Sequence, residues 1–402
     1  MKLVIGITTL AGCLAFSTYV RAGEKLEADV KADYDAHLDR LFKHFHANPE
    51  LSFVETKTAA RIARELRDAG FDVTEGVGKT GLVAILNNGE GRLVMMRADM
   101  DGLPVKELTD LPYASHVTQA NSEGQEFPVM HACGHDVHMT SLVGAARRMA
   151  SERDKWSGTL MLVAQPAEEW KVSGARAMRD DGIWERFGTP DYALAFHVSA
   201  DIEAGKLFAA PTAAYSGVDS VDIVVLGIGA HGASPHRGKD PVLIGAQIVV
   251  ALQTLVSREL APREPGVVTV GVFKAGNKRN VIGEEARLEL TVRSDNPETR
   301  EKLLAGIRRI AEHTGRAAGL PQDRLPRVEL LGTLPVTAND PALVERLSGR
   351  WKSELGEEIF ANYERSHMGG EDFPWFTRDP YIPSVYFTVG GTPKEDFERE
   401  AA

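Results

Sequence analysis

A chain of 402 residues, 43% hydrophobic and 26% charged, is too long for one typical domain and apolar enough for a sizeable core, so two compact units are expected. Its net charge of −11, with no Lys/Arg-rich stripe interleaved with aromatics, argues against a nucleic acid partner.

Residues 1–22 have the pattern of an export signal: Lys2, an apolar run from Leu3 to Val20, then Val20-Arg21-Ala22 as a small-residue cleavage pattern. The expectation is a secreted or periplasmic protein. Leu10-Ala11-Gly12-Cys13 also fits a lipoprotein signal with Cys13 lipidated, but the apolar residues 14–20 stand where a polar tether belongs and favour simple release. No later stretch is expected to span a bilayer.

Tyr34 to Ala47 has aliphatic and aromatic positions at helical spacing, and Thr56 to Ala69 predicts a second helix closed by Gly70. Four apolar runs predict strands: Leu82–Leu86, Leu93–Arg97, Thr159–Gln165 and Tyr192–His197. Strands alternating with helices imply an α/β unit with a mainly parallel sheet flanked by helices. In such sheets ligands bind beyond the carboxyl ends of the strands. Directly after these strands come Asp99-Met100-Asp101 and Glu168-Glu169, with His197 at the end of the last.

Met130-His131-Ala132-Cys133-Gly134-His135-Asp136-Val137-His138 gathers a thiol, three imidazoles and a carboxylate just before an apolar helical pattern. Cys133 is one of two cysteines and has no expected disulfide partner, so its thiol calls for packing or chemistry as an explanation. A buried hydrophobe among ordinary loop histidines is the plain alternative. The Cys-x-His spacing around a glycine can instead aim a thiolate and an imidazole at one metal ion. Adjacent acids are usually a solvated surface. Glu168 and Glu169 follow an apolar strand, however, and in extended backbone they would point to opposite sides, one able to ligate a metal while the other faces a water.

Further along, Val218–Gly227 alternates as a strand, Asp240–Ser257 predicts a helix introduced by Asp-Pro, and strands are expected at Gly266–Phe273 and Ala286–Val292. A helix near Pro297–Ala318 and a strand near Arg327–Leu331 complete a βαββαβ order, that of a ferredoxin-like α+β lobe, inserted over 215–335 between 23–214 and 336–402.

The motifs Arg97-Ala98-Asp99-Met100-Asp101-Gly102-Leu103-Pro104, Met130 to His138, Gln165-Pro166-Ala167-Glu168-Glu169, His197, Gly229 to His236 and Gly369-Gly370-Glu371-Asp372-Phe373 run in order through nearly the whole chain. In them the sequence resembles the dinuclear metallopeptidases related to aminoacylase and carboxypeptidase, and specifically their amidohydrolase branch, which includes hippurate hydrolases and indoleacetyl-amino-acid hydrolases.

The resemblance implies two divalent metal ions, Mn, Zn, Co or Ni, held by Cys133, His135, Glu169 and His197, with Glu168 as general base and Asp99 as an orienting acid. Arg97 stands where other branches carry a liganding histidine. It also implies that the lobe pairs two subunits as a homodimer, that His231 reaches the neighbouring subunit's site to polarise the substrate carbonyl, and that Asn280 and Arg293 hold the substrate carboxylate. The plain alternative for His231 is that it and His236 pack a loop, and Arg293 could equally be an exposed strand residue. The implied reaction is hydrolysis of the amide bond of N-acyl or N-aroyl amino acids, with a water activated between two metal ions giving its proton to Glu168. No Gly-x-Ser-x-Gly elbow or phosphate loop competes.

One departure from the family pattern concerns a further ligand histidine downstream of Glu371-Asp372-Phe373, since the last histidine here is His367. Truncation of the second catalytic segment is the first expectation, and substitution by another group or a weakened metal position are the others. Alternatives to the acyl-amino-acid reading are a dipeptidase or carboxypeptidase acting on short peptides, and a non-catalytic metal- or ligand-binding relative.

Overall fold

The computed structural model describes residues 25–170 and 173–400, so the expected export signal and Cys13 lie outside the described residues. The chain folds into two units. One takes the residues up to Ala214 together with Ala338–Glu364 and Asp372 onward, and the other takes Tyr215–Thr337 and Arg365–Glu371. The inserted unit therefore ends at Thr337 rather than 335 and draws in a later segment. Hydrogen bonds explain why. Arg365 pairs with Asp295 and donates to the Ser216 hydroxyl at 3.2 Å, Ser216 N donates to Gly369 O at 2.8 Å, and Arg293 donates to Met368 O at 2.8 Å.

The first unit is built on a seven-stranded sheet in the order Asp72–Val77, Gly81–Asn88, Gly158–Gln165, Leu93–Asp99, Tyr192–Glu203, Ser384–Thr392, Leu207–Phe208. The four strands from Gly158–Gln165 to Ser384–Thr392 run parallel, and the flanking strands are antiparallel. Gly158–Gln165 is buried at every position but Thr159, because a parallel strand covered on both faces reads as a continuous apolar run rather than an alternation. Leu41, Phe45, Ile62, Leu66, Met139 and Val143 from three helices pack on Leu82, Ala84 and Leu162. Full burial of such a side chain contributes about 1.5–3 kcal/mol, so this layer is a main source of the unit's stability.

Several expectations change in detail. The first helix starts earlier, being helical from residue 25, and passes through a π-helical turn at Tyr34–Leu38 before Asp39–Ala47. The strand beginning at Tyr192 runs through His197 to Glu203 because Ser384–Thr392, itself not anticipated, supplies a partner out to Thr392.

The second unit is an antiparallel four-stranded sheet ordered Gly266–Ala275, Glu285–Ser294, Gly217–Leu226, Arg327–Leu334. Glu285–Ser294 alternates buried with more exposed positions, as expected of a sheet with one covered face. Ile223, Val225, Leu288 and Val292 meet Ile244, Ile248 and Leu252 of the helix Pro241–Thr254 and Leu303, Leu304 and Ile307 of Pro297–Ala317. The Asp240 side chain accepts from Val242 N, which is the expected N-cap with Pro241 at the first helical position. One expectation is corrected here: the stretch Pro241–Glu259, 19 residues with mean hydropathy 1.4, is long and apolar enough to cross a membrane by length and composition. Its apolarity has another use in this fold, since Ile244, Ile248, Leu252 and Leu255 form the core of their unit.

A buried ion cluster joins the end of the Asp39–Ala47 helix to the start of His135–Ser151. His46 Nδ1 lies 2.7 Å from Asp136 Oδ2, and its Nε2 lies 3.0 Å from Glu107 Oε1. The hydrogen bond to Asp136 and then that to Glu107 outweigh burial and raise the His46 pKa to about 9. A folded-state pKa above the unfolded value means that this stability is fully present below about pH 6.5 and is lost as pH rises toward 9. Thermal melting of wild type and His46→Gln should therefore differ most at pH 6 and converge above pH 9. A gap that stays constant over that range would contradict the charged cluster.

Candidate functional site

Four segments bring polar groups to one edge of the first unit's sheet. Leu93–Asp99 and Gly158–Gln165 pair in parallel up to Asp99 opposite Gln165, so the chain leaves both strands side by side. Tyr192–Glu203 pairs with Leu93–Asp99 only as far as Ala195 opposite Arg97, which puts His197 beyond the end of that partnership. The fourth segment leads into the helix His135–Ser151 through Gly134, at φ 78°. A Cβ there would lie 2.3 Å from Val198 Cγ1, so both backbone conformation and close approach demand glycine between Cys133 and His135.

Cys133 Sγ lies 3.3 Å from His197 Nε2. The other ring nitrogen of His197 sits 2.6 Å from the Val198 carbonyl and must be the donor, which leaves the Nε2 lone pair directed at the cluster. His138 is differently placed: its Nε2 accepts from Val198 N at 3.0 Å and its Nδ1 donates to Asp99 Oδ1 at 2.6 Å, so both nitrogens are used. His135 is buried, and neither of its nitrogens has a hydrogen-bond partner among the described residues. Acids surround it. Asp99 Oδ2 is 3.7 Å and Glu169 Oε1 3.9 Å from its Nε2, and Asp101 Oδ1 is 3.4 Å from its Nδ1 without the alignment of a hydrogen bond. Three sets share His135, namely with Cys133 and His197, with Glu168 and Glu169, and with Asp99 and His138. In each set one donor atom per residue lies within 4.8 Å of the others.

The electrostatics are set by burial and by the acids that surround His135. Burial, with His138 and His135 beside it, holds His197 down at about 3, so its ring is neutral and able to ligate. Burial pushes the Cys133 thiol and the Glu169 carboxyl up. Burial also opposes a proton on His135, yet the Asp99 charge and then Asp101 and Cys133 overcome it and raise that pKa well above the ordinary range. The surrounding acids thus draw a cation to the place where the two unpartnered imidazole nitrogens sit. Thiolate, imidazole and carboxylate donors at this spacing, with an orphaned buried histidine among them, fit a divalent metal.

Beneath the cluster, Arg97 lies fully buried and bridges Asp99 Oδ2 at 2.6 Å, Gln165 Oε1 at 2.7 Å and Asp372 Oδ1 at 3.3 Å. Burial opposes ionisation of Asp99, but Arg97, His135 and His138 hold its carboxyl well below the usual range. Its closest partners are thus Arg97 and His138 rather than His135.

Glu168 and Glu169 do not continue an extended strand, as their sequence suggested, but lie in a turn. Ala167 adopts the left-handed φ of 49°, and a Cβ on Gly174 would lie 1.6 Å from Pro166 O, so the turn closes against glycine backbone. Two carboxylates to which the sequence reading assigned no role hold it. Glu55 Oε1 accepts from Ala167 N at 2.8 Å, while Asp101 accepts from Glu168 N at 3.1 Å and Glu169 N at 3.0 Å. Asp101 was visible as the second acid of Asp99-Met100-Asp101, two apart and so on one face of an extended strand. Glu55 had no comparable signal.

The remaining candidates belong to the second unit. His231 is exposed, with its Nδ1 accepting from Ala233 N at 3.1 Å. The strand Ala230–His231 pairs with Val281–Ile282, and Gly232 N donates to Asn280 O at 2.8 Å, so His231 and Asn280 are neighbours in one small ribbon. Arg293 is not with them: it sits half-buried on Glu285–Ser294 and donates to Met368 O.

The sequence profile of Peptidase family M20/M25/M40 matches residues 95–401. A hippurate hydrolase of Campylobacter jejuni subsp. jejuni serotype O:2 is 36% identical over 350 residues, covering 86% of this chain and 86% of its own. Thermostable carboxypeptidase 2 of Saccharolobus solfataricus is 32% identical over 372 residues, covering 91% and 88%. Among solved structures, the Bacillus subtilis YXEP protein, described as a dinuclear metal binding peptidase from the M20 family, superposes with a TM-score of 0.75 at 27% identity over 92% of this chain and 95% of its own.

Proposed function

The chain belongs to peptidase family M20/M25/M40 and is a metal-dependent hydrolase of amide bonds, and on that footing we propose that its substrates are N-acyl or N-aroyl amino acids. The observation that carries the reading is the convergence of Cys133, His135, His197, Glu168 and Glu169 around unpartnered imidazole nitrogens, in a chain similar to a hippurate hydrolase.

Cys133, His135, Glu169 and His197 hold two divalent ions, Mn²⁺, Zn²⁺, Co²⁺ or Ni²⁺, and Asp99 fixes the charge balance behind them. When bound, such ions polarise the amide carbonyl and acidify water. Glu168 takes a proton from the attacking water and returns it to the nitrogen of the departing amino acid as the C–N bond breaks.

In the second unit, the exposed His231 polarises the substrate carbonyl from a partner subunit, with Asn280 beside it and Arg293, on a separate strand, as the two candidates for holding the substrate carboxylate. Support for a homodimer through this unit comes from apolar side chains exposed on it, among them Leu243, Val250 and Phe273. Release to the periplasm or outside follows from residues 1–22, with lipid anchoring at Cys13 as the alternative.

A second reading, carboxypeptidase or dipeptidase action on short peptides, is favoured by the similarity to thermostable carboxypeptidase 2. The two separate in a substrate panel measured after loading with each of the four metals. The proposal expects kcat/KM for hippurate and acetyl-amino acids to exceed that for unblocked dipeptides by about tenfold or more. The reverse order would install the peptidase reading.

A further inference from the structure

We propose that Glu55 is a positioning residue of the hydrolytic site, its carboxylate fixing the turn from which Glu168 and Glu169 project. The roles of those two acids rest on the function proposed above, whereas the hold on the turn does not. Three consecutive backbone N–H groups, of Ala167, Glu168 and Glu169, are taken by two buried acids, the first by Glu55 and the next two by Asp101. Glu55 is fully buried, and its other oxygen accepts from the Thr80 hydroxyl at 2.5 Å. Thr80 anchors Glu55, and Glu55 in turn anchors a residue held at φ 49°. A non-glycine residue in that conformation is strained and persists only where its surroundings over-determine it.

The same short segment reaches a second arm of the site. The Ser52 hydroxyl donates to Asp101 Oδ2 at 2.6 Å, and Gly102 N donates to Glu50 O at 2.7 Å. Residues 50–55 therefore hold both the Asp99–Gly102 arm and the Ala167–Glu169 arm, and Glu55 is the member that touches the turn itself. Glu55 could have served as a side-chain cap for the helix Thr56–Asp68, which it immediately precedes, but it makes no such bond. Its carboxylate is committed across 112 residues of sequence. Burial, with the Asp101 charge adding to it, pushes Glu55 up to about 7, so the fold keeps two acids together at a cost in stability. Only the three N–H groups and two hydroxyls that the pair gathers explain the arrangement.

The test compares Glu55→Met, which keeps volume and removes the acceptor, with Glu55→Gln, which keeps an oxygen facing Ala167 N–H. In metal-free protein, hydrogen exchange at the amides of 167–169 should quicken by about tenfold or more in Glu55→Met and stay within about threefold of wild type in Glu55→Gln. Titration with Mn²⁺ should give an affinity about 10–100-fold lower in Glu55→Met. Hippurate turnover should then lose kcat with little change in KM. A role limited to stability would lower the melting temperature of Glu55→Met while leaving exchange at 167–169, Mn²⁺ affinity and kcat at wild-type values, and that result would overturn the inference. Equal behaviour of the two variants would overturn it as well. Should the wild-type chain fail to cleave any N-acyl amino acid, the proposed function falls, and the exchange measurement still decides the role of Glu55.

Discussion

Replacing Glu168 with Gln is expected to lower kcat for hippurate or acetyl-amino-acid hydrolysis by about 10²–10⁴-fold, the range general acid–base groups supply. Glutamine matches the shape of Glu168 but cannot take a proton at neutral pH. The backbone N–H of residue 168 keeps its bond to Asp101, so the turn survives the change. Cys133, His135, Glu169 and His197 are untouched, and metal content and melting temperature should stay at wild-type values. A Glu168→Gln enzyme turning over within a few-fold of wild type, with its metal in place, would remove this residue from proton transfer.

Replacing Cys133 with Ala should act one step earlier. The sulfur lies next to His197 Nε2, and no other thiol is described in the fold, so no neighbouring group can take its place as a soft donor. Loss of bound metal and a fall in turnover of about 10²-fold or more are expected, beyond what supporting residues contribute. Chelation of the wild-type protein should abolish activity, and added Mn²⁺, Zn²⁺, Co²⁺ or Ni²⁺ should restore it in wild type far better than in Cys133→Ala. Equal metal content in the two proteins would show that the thiol packs rather than ligates. Paired with the Glu168→Gln result, the outcome separates metal holding from proton transfer, since one variant should lose metal and the other keep it.

What could be read from the sequence followed from how locally each feature is encoded. The parallel strands were legible because a strand covered on both faces must be apolar along its length, as in Leu160 to Ala164. The gathering of Asp99, Asp101, His197 and the Glu168-Glu169 pair followed from the rule that parallel strands deliver their loops to one edge, while Cys133 and His135 were added to it by the family resemblance. The starts of the lobe's two helices were legible because Asp240 and Asn296 cap their N-termini, each followed by Pro.

Contacts across long separations were not legible. Glu55 finds Ala167, and His46 finds Asp136 and Glu107, with no periodicity to announce either. The turn at Ala167 replaced the expected extended geometry because two acids from elsewhere in the chain hold its amides. The strand Ser384–Thr392 escaped notice since its Gly390-Gly391 ending breaks the apolar pattern. Arg365–Glu371 joined the inserted unit through Asp295 and Ser216, partners that spacing along the chain cannot reveal.

The most direct test is a crystal of the Zn²⁺- or Mn²⁺-loaded protein with diffraction recorded at the absorption edge of the metal. Anomalous peaks should stand about 2.3 Å from Cys133 Sγ and about 2.0–2.2 Å from ring nitrogens of His135 and His197 and a carboxylate oxygen of Glu169. Peaks elsewhere, or none in a fully loaded protein, would contradict the convergence of these side chains on bound metal.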